Sequence, residues 1–151
     1  MRPIRAVLAG CLAGGLLLAA IGPAVAKSDA VPFFAGQRFA TELTGAAERP
    51  GPGDPDGSGE ALIVLNPGQG TICWHMAVRD VDPILAAHIH IGGVDEPGPV
   101  ILPLTPPTPE STGCASGQDE LIRAIRSNPE NYYVNVHNAL FPAGALRGQL
   151  G

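Results

Sequence analysis

The sequence predicts an all-β fold, an antiparallel β-sandwich carrying one short helix. Seven segments of five to eight residues either alternate apolar and polar side chains or run apolar throughout, the length and pattern of sheet strands. Turn signals separate them, drawn from 20 glycines and 16 prolines among 151 residues. No stretch repeats at a fixed period, and one segment alone carries helical spacing.

Phe39 to Leu43 reads as the first strand, with Phe39, Thr41 and Leu43 on one face. Pro50-Gly51-Pro52-Gly53-Asp54-Pro55-Asp56-Gly57 then leaves no room for a helix. Glu60 to Leu65 is the second strand, ended by Asn66-Pro67-Gly68. In the third, Thr71 to Val78, Ile72, Trp74, Met76 and Val78 alternate with Cys73, His75 and Ala77. Ala86 to Ile91 and Pro99 to Leu104 are the fourth and fifth. Pro103 to Pro109 holds four prolines and reads as an extended loop. Ser116 and Asp119 resemble a capping box ahead of Leu121, Ile122 and Ile125, spaced for a short amphipathic helix that Asn128-Pro129 ends. Tyr132 to His137 and Ala145 to Leu150 complete the sheet, joined by a turn around Pro142 and Gly144.

Residues 1–26 read as a signal peptide. Arg2 and Arg5 open it, Ala6 to Ile21 is apolar, and Ala24-Val25-Ala26 is a small-x-small cleavage site. The apolar run is short for a membrane span, and the lipobox-like Leu8 to Cys11 sits too early within it. The expectation is a protein secreted or held in the cell envelope, with residues 27–38 a lead-in and residues 39–151 the domain. Without Arg2 and Arg5, seven basic residues face 14 acidic ones, a formal charge of −7. That balance argues against a nucleic-acid partner and against attraction to anionic lipids. In an oxidising compartment Cys73 and Cys114 are expected to form a disulfide, the alternative being Cys73 as a thiolate ligand.

Three histidines carry the chemistry. His88 and His90 share one strand face, because side chains two apart point the same way. If Val134 and Val136 face a core, His137 lies on the opposite face with Tyr133 and Asn135. Three imidazoles from two strands suit copper or zinc. Whether the two strands meet is not written in the sequence. The bland reading is that each histidine is hydrogen-bonded or solvated.

Phe39-Ala40-Thr41-Glu42-Leu43-Thr44-Gly45, Gly57-Ser58-Gly59-Glu60-Ala61, Ala87-His88-Ile89-His90, Tyr133-Val134-Asn135-Val136-His137 and Gly144-Ala145-Leu146-Arg147-Gly148-Gln149-Leu150 follow one another in order. Together they resemble the CHRD domain, named after chordin, an extracellular antagonist of bone morphogenetic proteins, and found also in secreted bacterial proteins. The resemblance implies an immunoglobulin-like sandwich with a distant similarity to copper–zinc superoxide dismutases, and it brings no established activity. In those dismutases an H-x-H strand and a later strand histidine bind copper, and an arginine near the C-terminus guides the anion. His88, His90, His137 and Arg147 stand in that order here. The chain departs from the dismutases in lacking a zinc loop rich in histidine and aspartate, and in its short link from His137 to Arg147. His75 lies outside these motifs.

Copper is favoured over zinc by the dismutase resemblance alone. Arg147 is either the anion guide or a structural residue paired with a carboxylate or loop carbonyl. Asp54-Pro55-Asp56-Gly57 resembles the opening of a calcium loop, but its twelfth position is Leu65 where a glutamate is needed. No G-x-S-x-G elbow is present. The sequence therefore predicts an extracellular binding module with a copper site at His88, His90 and His137. Its rivals are a degenerate dismutase-like redox enzyme and a metal-free interaction module whose protein partner is unknown.

Overall fold

The computed structural model describes residues 36–81, 83–104 and 108–151. The expected signal peptide and residues 27–35 of the lead-in lie outside them. Eight strands of the described residues form one sheet: β1 Gln37–Thr44, β2 Ser58–Asn66, β3 Thr71–Arg79, β4 Ile84–Ile91, β5 Val100–Pro103, β6 Glu110–Ser116, β7 Tyr132–Asn138 and β8 Leu146–Gln149. Among the described residues a single α-helix, α1, spans Asp119–Ser127 between β6 and β7. Among the described residues no helix is long and apolar enough to cross a membrane.

The strand order is β5-β4-β7-β8-β1-β2-β3-β6, and the pairings given by register are all antiparallel. The sheet curls about the β1–β8 joint, where Thr44 faces Arg147, so its two halves close over one core. Period-two alternation decides what enters that core. Ala61, Ile63 and Leu65 of β2 and Ile72, Trp74 and Met76 of β3 meet Ala87 and Ile89 of β4 and Val134 and Val136 of β7. Ile122 and Ile125 of α1 join the same cluster. The expected all-β sandwich with one helix is the observed architecture.

Two local expectations are corrected, the count of seven strands and the capping box. The proline-rich stretch leads into β6, an edge strand beside β3 that places Cys114 directly opposite Cys73. Its sequence, Glu-Ser-Thr-Gly-Cys-Ala-Ser, is small and polar and shows no apolar alternation. The capping box does not form, because Ser116 is the last residue of β6 and Gly117, at φ 73°, turns the chain behind it. Gln118 occupies the cap position without a side-chain cap bond, and its N–H donates to the Gly70 carbonyl. Asp119 and Glu120 still place negative charge in the first turn, where the helix dipole favours it. Cys73 and Cys114 are joined in a disulfide closing a separation of 41 residues.

Candidate metal centre

Strands β4 and β7 are direct neighbours, so the histidines that are far apart in sequence share one outer face. In the register, His88 faces Asn135, His90 faces Tyr133 and Ala86 faces His137. His137 is thus the diagonal neighbour of His88, within reach of a long side chain on one sheet face. The apolar residues between them, Ala87, Ile89, Val134 and Val136, turn inward and hold this orientation. A one-residue slip would bury the imidazoles and expose the valines.

One donor atom from each of His88, His90 and His137 lies within 4.8 Å of the others. His88 Nδ1 is 3.1 Å from His137 Nε2. Two nitrogens bound to one tetrahedral ion at about 2.0 Å lie roughly 3.3 Å apart, so this pair already has nearly that spacing. His90 is buried, and its Nε2 has no hydrogen-bond partner. Its Nδ1 lies 2.7 Å from the Gly98 carbonyl oxygen, and His137 Nδ1 lies 3.1 Å from that of Pro142. Carbonyl partners on the far nitrogens are the usual way a protein orients metal-binding imidazoles. Three imidazole donors, one of them a buried nitrogen without a partner, could hold a metal ion.

Burial lowers the His88 pKa, assisted by His137 and His90 and opposed by a side-chain interaction with Asn135. Burial also lowers that of His137, against the Pro142 carbonyl and with His90. Neutral imidazole is the form that binds a metal, so these shifts keep both groups available at pH 7.

Loops supply the carbonyls. Asn138, at the end of β7, accepts the N–H of Leu140 at 3.1 Å and of Phe141 at 2.7 Å, shaping the turn that presents Pro142. Its Nδ2 donates to Asp54 Oδ2 at 3.0 Å, while Asp54 Oδ1 accepts the N–H of Asp56 and Gly57. Asp54 is therefore a structural corner, as the missing twelfth-position glutamate implies. On the other side, the β4–β5 loop folds over the sheet to bring Gly98 to His90. A Cβ at Gly98 would run into the Ile91 carbonyl, so only glycine closes the loop this tightly.

Arg147 holds that loop. It is 1% exposed; Nη1 donates to the Glu96 carbonyl at 3.0 Å, and Nη2 donates to the Gly93 carbonyl and, at 3.2 Å, to Gln149 Oε1. Gln149 Nε2 donates to the carbonyls of Gly92 at 2.8 Å and Glu130 at 2.7 Å. Burial lowers the Arg147 pKa, against Tyr133 and Glu48, which favour its charge. His75 is not brought to the cluster. It sits on β3 in the other half of the sheet, lining a shallow depression with Glu42, Glu60 and Leu62. Sequence reasoning gave no role to Glu48 or Gly98, and placed Asn135 only on the His137 face and Pro142 only in a turn. For Asn135 the shared face with His137 was the available signal; for the two carbonyls, residue identity carries none.

Searches among curated proteins and among solved structures found no match to this chain. A family model for the CHRD domain matches residues 39–150, a span that holds all eight strands but the first two residues of β1. With the quoted motifs lying in order along that span, from Phe39 through the histidine strands to Leu150, the chain belongs to the CHRD-domain family.

Proposed function

We propose that this chain is an exported binding module that holds one copper ion through His88, His90 and His137, with zinc as the alternative metal. The observation carrying this reading is the convergence of three imidazole donors within 4.8 Å, one of them a buried Nε2 without a partner. Such an ion would have three nitrogen ligands and an open position. Copper is preferred over zinc on the dismutase resemblance. A dismutase-like enzyme would need a guanidinium free to meet an anion, and Arg147 is committed to loop carbonyls. We therefore read Arg147 as structural and the site as a binding site.

The His88–His137 contact favours a second reading, a metal-free interaction module, because it pairs two of the three imidazoles without an ion. Calorimetric titration of the oxidised protein with copper(II) and zinc(II) separates the two. One-to-one binding that disappears in a folded His88→Ala/His90→Ala/His137→Ala variant supports the metal site. Folded wild-type protein that takes up neither metal leaves the interaction module.

A further inference from the structure

Each imidazole has two ring nitrogens, and the partner of each says which can carry the proton. A carbonyl oxygen only accepts, so His90 and His137 carry their protons on Nδ1, facing Gly98 and Pro142. Both then present a lone pair at Nε2. His88 differs. Its Nδ1 lies 3.1 Å from His137 Nε2, and as a hydrogen bond that contact places the His88 proton on Nδ1, between the two rings, when no metal is bound. An ion that takes the His137 Nε2 lone pair cannot share its place with that proton. For His88 to become a ligand through Nδ1, its proton must leave Nδ1 and one must be taken up at Nε2. The ring stays neutral throughout, and its new N–H needs an acceptor.

We infer that Asn135 is that acceptor, a positioning residue whose Oδ1 receives the His88 Nε2–H when metal binds and so fixes the ligand set as His88 Nδ1, His90 Nε2 and His137 Nε2. Asn135 stands directly opposite His88 in the β4–β7 register and is 2% exposed. Its Oδ1 is buried, lies near enough to His88 to favour a proton on that ring, and has no partner of full hydrogen-bond geometry. A buried, unpaired polar atom is costly and rarely idle. Two such atoms, Asn135 Oδ1 and His90 Nε2, sit in this one cluster. Metal occupancy would pair both: His90 Nε2 would hold the ion, and Asn135 would accept the relocated His88 proton. Each ligand then has an acceptor behind it, the arrangement that tunes and orients metal-bound imidazole.

This inference rests on the metal reading above, and its test keeps the two apart. Long-range proton–nitrogen NMR of the oxidised protein reports the tautomer of His88 before and after one equivalent of zinc(II) or copper(I), both diamagnetic. We expect Nδ1–H in the metal-free protein and Nε2–H in the loaded one. Asn135→Leu, close in size but without an acceptor, is expected to weaken binding of the same ion about 10- to 100-fold. Asn135→Asp, which retains an acceptor, is expected to bind at least as tightly as wild type. A loaded wild-type protein with His88 still protonated on Nδ1 overturns the inference and leaves the metal site standing. So does a folded Asn135→Leu variant that binds like wild type. Should Asn135→Leu not fold, the wild-type tautomer decides alone. Wild-type protein that binds neither ion overturns the metal reading and this inference together.

Discussion

Arg147 places its guanidinium carbon 3.5 Å from the centre of the Tyr133 ring, a cation–π contact in the interior of the β4–β5 loop clamp. Tyr133 also stacks on His90, with centroids 4.8 Å apart and planes 15° from parallel. The three side chains come from β8, β7 and β4, which are consecutive in the sheet. Gly98 closes the circuit: its N–H donates to Tyr133 Oη at 3.0 Å, and its carbonyl meets His90 Nδ1. The clamp and the His90 ring are one connected unit.

Arg147→Lys tests the clamp. Lysine keeps the charge but not the planar fork that reaches two carbonyls and an amide at once. Because the guanidinium is buried, unpaired loop carbonyls remain in the variant, and the expected loss is about 2–4 kcal/mol of stability. Hydrogen exchange should quicken across Gly92–Gly98, and urea unfolding measures the loss. An arginine serving only to guide anions predicts near-wild-type stability and unchanged exchange.

A bound ion adds its binding energy to folding. Free metal at about a hundred times its dissociation constant stabilises the folded state by roughly 2.7 kcal/mol. For a domain of this size that corresponds to a rise in Tm on the order of 10 °C. A chelator should reverse the rise, and the triple histidine variant should show none. Differential scanning calorimetry with and without metal gives the answer directly.

The legible parts of this molecule are those with a local period. His88 and His90 share a face because a strand repeats every two residues, and Val134 and Val136 name the core side of β7 for the same reason. The meeting of His88 with His137 spans 49 residues and follows from strand order, which no local pattern encodes. Strand β6 carries no apolar alternation, because an edge strand of small polar residues needs no apolar face. Its one clue was Cys114, since a disulfide to Cys73 requires the two backbones to lie side by side. The carbonyls of Gly98 and Pro142 that meet His90 and His137 are backbone atoms, placed by loop closure. Glu48 looks like a surface residue in Ala-Ala-Glu-Arg-Pro and becomes buried only where the chain at Gly144 packs on it.

The disulfide staples that edge strand. A closed loop of 41 residues corresponds to about 4 kcal/mol in the chain-entropy account, and native cross-links usually deliver about 2–4 kcal/mol. Cys73→Ala/Cys114→Ala should lose that much by urea unfolding. The added exchange should concentrate in Glu110–Ser116, leaving β4 and β7 protected. Loss of protection across the histidine strands instead would show that the staple supports the whole sandwich.

Glu48 should set the pH dependence of stability. It is 4% exposed, its Oε1 has no partner, and a Cβ at Gly144 would collide with its Oε2. Burial raises its pKa from 4.5 to about 7, against the charge of Arg147, a hydrogen bond from the Arg49 backbone and the Arg49 charge. The folded state thus holds the Glu48 proton to higher pH than the unfolded state does. Its contribution is fully present below about pH 4.5, falls as pH rises towards 7, and stays lost above. The interval from 4.5 to about 7 corresponds to roughly 3 kcal/mol. Glu48→Gln keeps the neutral shape at every pH. Relative to wild type it should be more stable by about 1–3 kcal/mol at pH 8 and nearly equal at pH 4.5, as urea unfolding at the two pH values would report. A glutamate held ionised by Arg147 predicts the opposite order at pH 8, with the glutamine variant weaker because it leaves the buried guanidinium without its counter-charge.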